Sequence, residues 1–139
     1  MRNYIINLAL KFIGTPYIWG GSSPRVGFDC SGFVIWILQI FDILPSVDMT
    51  ADDLSKSFEK TITPLPGDLC CYGTDEKIVH IGFYRGMFMG SAEMIGANGG
   101  DSKTINEIEA RKRNAMVKVK PVNYRRDFRF YVNIEKKLN

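Results

Sequence analysis

In FDCSGFVIWIL, residues 28–38, a lone Cys30 stands between Asp29 and Ser31, where a mixed-polarity loop gives way to an almost unbroken apolar run. A thiol at that seam meets the first unpaired N–H groups of a helix, whose partial positive charge favours thiolate and lowers a thiol pKa of about 8.5. Cys30 is therefore a candidate nucleophile; the alternative is a small buried hydrophobe beside Gly32. Cysteine attack on an amide also needs a base that pairs with the thiolate and then protonates the leaving amine, a task suited to imidazole. The chain has one histidine, so that partner can only be His80, in KIVHIGFYRG. Alternation places His80 on one strand face with Gly82 and Tyr84, and Val79, Ile81 and Phe83 on the other. Without Cys30 in view, a single strand histidine reads as structural or exposed. Cys70 and Cys71, in GDLCCYG, lie inside a strand pattern with no helix field and read as packing residues.

These groups need a frame. Apolar residues at Tyr4, Ile5, Leu8, Ala9, Phe12 and Ile13 predict an amphipathic helix stopped by Gly14 and Pro16, followed by a structured loop over 15–27. Asp29 suits an N-cap, and the run from Phe33 to Phe41 is apolar around most of a helical circumference, which places that helix in the middle of a domain. Thr50 is a plausible cap for a helix over 51–58. After Pro66-Gly67 the texture changes to strand patterns over 68–72, 78–84, 87–97, 115–122 and 128–134, with a polar insertion over 101–113 that carries a short helix beginning at Ser102. Helices first and short strands afterwards predict one α+β domain over residues 1–139, with an antiparallel sheet.

Composition narrows the function classes. With 18 basic and 15 acidic residues the net charge is +3. The basic residues that gather from Arg111 to Arg129 alternate with Val117, Val119 and Val122, as a half-exposed strand requires, so no nucleic-acid partner is expected. Three cysteines without a C-x-x-C and partner histidines suggest neither a disulfide framework nor a zinc site, and no metal or cofactor is expected. No run approaches the ~18 apolar residues of a membrane span, so no membrane insertion is expected. The N-terminal stretch lacks a signal-peptide pattern, which predicts synthesis in the cytoplasm. Met87, Met89 and Met94 beside Phe88 read as hairpin packing in preference to a lipid groove.

Four motifs in order, Pro16-Tyr17-Ile18-Trp19-Gly20-Gly21, Phe28-Asp29-Cys30-Ser31-Gly32-Phe33, Leu65-Pro66-Gly67-Asp68-Leu69 and His80-Ile81-Gly82-Phe83-Tyr84, resemble the NlpC/P60 family of cell-wall cysteine peptidases. The resemblance implies a papain-like fold, with the nucleophile opening a central helix packed on an antiparallel sheet that carries the histidine. It implies hydrolysis in peptidoglycan stem peptides, at the bond between D-glutamate and the diamino acid. Cys30 would be the nucleophile and His80 the general base and acid. Tyr17 would lie near the oxyanion site, assisting the Cys30 N–H. Asp29 and Ser31 would line the substrate cleft, with Asp29 holding a free α-amine of the stem peptide.

One departure follows His80. Many family members carry a polar residue on the next strand to orient the imidazole, and here Gly96 stands at that place. Asn98, on the same face by alternation, is the nearest substitute; Glu93, Asp101, a backbone carbonyl or a water are the alternatives. The rival functions are a non-catalytic wall-binding or structural tail module, and an amidase or acyltransferase on another substrate. The short form resembles phage-borne members, which implies phage tail proteins as partners and arrival at the bacterial cell wall by phage particle or lysis.

Overall fold

The computed structural model, which describes residues 1–138, opens with helix α1, Arg2–Lys11, in which Ile5 and Ala9 are buried at the expected i, i+4 spacing and Ile6 is buried beside them, while Tyr4 is exposed. A two-stranded ribbon, β1 at Ser22–Ser23 and β2 at Gly27–Phe28, leads into helix α2, Cys30–Ile40. Asp29 caps α2, accepting the Gly32 N–H at 2.7 Å. Helix α3 covers Ala51–Lys56 behind a capping box formed by Thr50 and Asp53.

Six strands form an antiparallel sheet in the order β3 (Phe58–Thr61), β8 (Phe128–Lys137), β4 (Leu69–Gly73), β5 (Ile78–Phe88), β6 (Ser91–Asn98), β7 (Met116–Pro121). The helical layer covers one face, where Phe28, Phe33, Leu38, Ile81, Phe83 and Ile95 share the main core. Each such fully buried side chain contributes roughly 1.5–3 kcal/mol. The opposite face carries a smaller cluster of Cys70, Tyr72, Tyr84, Met94 and Val122. Cys70 and Cys71 thus point to opposite faces and are both buried. Helices before an antiparallel sheet, with α2 central, is the α+β architecture expected from the sequence. Among the described residues no helix is long and apolar enough to cross a membrane.

Four details differ from expectation. Phe58 leaves α3 and begins β3, because pairing with β8 captures residues too few and too polar to show an alternation of their own. Strand β5 runs on past Tyr84: Gly86, at φ +124°, forms a bulge, and the chain reverses at Met89 and Gly90, whose φ values of 51° and 81° are those of a primed hairpin turn. Residues Asp101 to Thr104 make a turn in which the Asp101 N–H donates to Thr104 Oγ1, so helix α4 waits until Glu107–Lys112 and is capped by Asn106. Between β7 and β8 a single 3-10 turn, Val122–Tyr124, folds over the outer face of the sheet.

A buried ionic clamp ties the chain ends to this frame. Asp68, 1% exposed, pairs with Arg2 at 2.8 Å and accepts the backbone N–H groups of Leu65 and Ile134. Arg2 also reaches the carbonyl of Pro66 and the side chain of Asn133.

Candidate active site

Cys30 is the first residue of α2, where the backbone N–H groups of Ser31 and of Ile81, the residue after His80, favour the charged form of its sulfur. Asp29 organises this end. Its Oδ1 accepts from Gly32 N and Ser31 Oγ, and its Oδ2 from Gly20 N, so one carboxylate caps the helix and pins the glycine loop. Gly32 is required for close approach: a Cβ there would run into the Gly21 carbonyl. Tyr17, buried and joined to Phe28 by a backbone bridge, lies flat on Gly100, where any side chain would collide with its ring. Tyr17, Asp29, Cys30 and Ser31 all line one cleft of about 500 Å³, with Asp48, Asp53 and Lys77 across it. A second cavity of about 380 Å³ adjoins it, sharing Gly20, Ser22, Gly32 and Asp48 as walls.

His80 lies behind this cleft on β5, 5% exposed. The register of β5 and β6 pairs Phe83 with Ile95, and continued toward the strand ends it sets Gly82 opposite Gly96 and His80 opposite Asn98. Asn98 Oδ1 is 2.9 Å from His80 Nε2. Asn98 Nδ2 donates to the Lys118 carbonyl on β7 at 3.0 Å, which fixes the amide with its oxygen toward the ring. Tyr124, from the 3-10 turn, closes the group: its hydroxyl is 2.9 Å from His80 Nε2 and 3.0 Å from Asn98 Oδ1. Among the described residues no hydrogen bond joins Cys30 to His80 directly; their elements meet because α2 packs on β5.

The electrostatics depart from the thiolate expected at a helix N-terminus. Burial, with the Asp29 carboxylate beside it, pushes the Cys30 thiol up to about 11, against the opposing pull of the Ile81 and Ser31 N–H groups and Arg125. Burial and the Arg125 guanidinium push His80 down to about 4, opposed by its hydrogen bond to Asn98 and by Asp127. Desolvation penalises an isolated charge on either group more than one helix end can repay, so thiol and imidazole are both neutral at pH 7. Charge separation between them is favourable only as a pair.

All six residues singled out in the sequence gather around α2 and the adjoining strands, in two sets. Tyr17, Asp29, Cys30 and Ser31 face the cleft, while His80 and Asn98 form the buried set behind it. Glu93 instead pairs with Arg85, and Asp101 with Arg113, both away from the ring. Two neighbours were not visible in the sequence. Tyr124 carries no signal, because a turn residue in VNYRR has no periodicity, and Arg125 reads as one more member of a basic surface. In the structure Arg125 is held by two bonds to Asp127, at 2.9 and 2.8 Å, and its charge acts on both Cys30 and His80.

A model described as the NlpC/P60 family matches residues 14–122. The chain is 40% identical over 87 residues to the bifunctional muramidase/DL-endopeptidase CwlT of Bacillus subtilis, covering 59% of this chain and 26% of that protein. It is 37% identical over 89 residues to a gamma-DL-glutamyl hydrolase of the same organism, covering 59% of this chain and 21% of that one. The chain thus spans about a quarter of the length of these curated relatives. The crystal structure of the NlpC/p60 domain of the peptidoglycan hydrolase SagA superposes with a TM-score of 0.71 at 26% identity, covering 96% of this chain and 98% of that one.

Proposed function

The chain belongs to the NlpC/P60 family, and from that premise we propose that it is a cysteine peptidase that hydrolyses the stem peptide of peptidoglycan, at the amide between D-glutamate and the diamino acid. The observation that carries this reading is the packing of α2, with Cys30 at its N-terminus, on the strand that bears the chain's one histidine, whose ring is held by Asn98. The names of the similar proteins, a DL-endopeptidase and a gamma-DL-glutamyl hydrolase, support the choice of bond.

Asn98 Oδ1 can only accept, so Nε2 carries the proton and Nδ1 is the basic nitrogen. In the reaction Nδ1 takes the thiol proton as sulfur attacks the scissile carbonyl. The oxyanion is met by the Cys30 N–H and the Tyr17 hydroxyl. The imidazolium then protonates the leaving amine, leaving a thioester on Cys30. Water, deprotonated by His80, hydrolyses the thioester and restores the thiol. The neutral resting pair means that substrate, by displacing water and presenting a developing oxyanion, favours the separated charges that the empty cleft does not. On the acidic cleft wall, Asp29 and Ser31 suit a free α-amine, and Asp48 adds negative charge close enough to raise the Asp29 carboxyl further.

A panel of defined stem peptides and unrelated amides, read by mass spectrometry, tests the proposal. Cleavage confined to the D-glutamyl bond supports it; cleavage of other amides only, or binding to wall without cleavage, contradicts it. Association with phage tail proteins and delivery to the cell wall by that route belong to the same proposal, and detection of the protein in purified phage particles tests them.

A further inference from the structure

The Tyr124 hydroxyl sits within hydrogen-bond distance of both His80 Nε2 and Asn98 Oδ1, so three polar groups close a triangle with sides of 2.9, 2.9 and 3.0 Å. The triangle has few ways to place its protons. Asn98 Nδ2 is committed to the Lys118 carbonyl, which leaves Oδ1 as a pure acceptor with two lone pairs. If the hydroxyl donated to a bare Nε2, the Nε2 and Oδ1 lone pairs would face each other at 2.9 Å with no proton between them. If it donates to Oδ1, the Nε2–H can be shared between Oδ1 and the phenolic oxygen, and every group is satisfied. In a site this dry, an unmatched pair of acceptors is costly.

We propose that Tyr124 is a positioning residue for His80: its hydroxyl completes Asn98 Oδ1 and turns its own oxygen to the Nε2–H that Asn98 selects, so that the imidazolium, when formed, has two neutral acceptors instead of one. This rests on the proposed role of His80 but goes beyond it. The turn that carries Tyr124 is built to hold it there. Tyr72, fully buried on β4, donates its hydroxyl to the Val122 carbonyl at 2.7 Å, and its ring packs against both His80 and Tyr124, with centroids 5.5 and 5.8 Å away. Lys120 lies over the outer side of the Tyr124 ring. The other charged groups acting on the imidazole are Arg125, which opposes a positive ring, and Asp127, which favours one. None of these duplicates the acceptor that Tyr124 supplies at Nε2.

Because the chain has one histidine, its ring nitrogens can be followed by ¹⁵N NMR without ambiguity. Wild type should show the Nε2–H tautomer at neutral pH. Tyr124→Phe keeps the ring packing and Asn98, so the tautomer should persist, while the His80 titration moves to lower pH by up to about one unit, the equivalent of one hydrogen bond to the imidazolium. On stem peptide its kcat should fall about tenfold with KM unchanged. Asn98→Ala, leaving only a hydroxyl that can donate as well as accept, should show the Nδ1–H form. An unchanged titration in Tyr124→Phe would overturn the proposal whatever the rate, since packing alone would leave the ring's charge equilibrium alone. The NMR arm needs no substrate, so it decides the role of Tyr124 even if the assigned bond is wrong.

Discussion

Two buried polar groups hold this molecule together at different places, and they are built on opposite rules. Asp68 is a charge met by a charge: Arg2 and two backbone N–H groups saturate it, and it joins α1, the loop before β4, and β8. His80 is a neutral ring met by an amide and a hydroxyl, with the nearest guanidinium arranged to oppose its protonation. A buried ion pair has no easy alternative state, which suits a clamp. A neutral ring among neutral partners can gain and lose a proton within the fold, which suits acid–base work. The contrast teaches that burial of a polar group is not itself a mark of function; the nature of its partners is.

The largest effect should come from breaking the clamp. Asp68→Ala takes from Arg2 its 2.8 Å carboxylate partner and from the Leu65 and Ile134 N–H groups their acceptor, and should cost about 3–5 kcal/mol in chemical denaturation, while the folded fraction keeps its specific activity. Loss of activity without loss of stability would erase the distinction between the two regions.

The next effect concerns the ring. His80 has its folded pKa lowered to about 4 from an ordinary 6.5. Between these values the unfolded chain binds a proton that the folded one does not, so stability is full above pH 6.5 and is lost as pH falls toward 4. The difference in unfolding free energy between pH 6.5 and pH 4 should be greater in wild type than in His80→Gln by up to about 3 kcal/mol. A smaller loss on acidification in wild type than in the variant would mean that the ring is paired with a charge after all.

A control touching neither region sets the scale. Thr50→Ala removes the cap of α3 at the rim of the cleft and should cost about 1 kcal/mol of stability, with turnover close to wild type. A larger loss of turnover would show that α3 contributes to the site beyond forming its wall.

How much of this was legible in the sequence follows from the kind of signal each part leaves. Helix α2 and Cys30 were readable because a capping aspartate, a thiol and an apolar run are contiguous. His80 was readable because it has no competitor. Asn98 was placed on the correct strand face by alternation, but only the register, which sets Gly96 against Gly82, shows why the residue two positions on is the one that meets the ring. Register depends on where the hairpin turns, and the turn at Met89 and Gly90 was obscured by the earlier Gly86, which forms a bulge. Strand β3 was hidden because FEKT has no alternation of its own and exists by pairing with β8. Tyr124 was hidden for a different reason: it reaches the site across the sheet from a turn, 44 residues along the chain from His80, and nothing local records such a contact. The helix end that favours a Cys30 thiolate is visible in the sequence; the desolvation that opposes it is not.

The central claim is that Cys30 is the nucleophile of a hydrolase, and the most direct measurement is release of stem-peptide fragments from purified cell wall by wild type and by Cys30→Ala, with circular dichroism confirming that both are folded. The account predicts fragments from wild type and none above background from Cys30→Ala; equal release by the two proteins would contradict it.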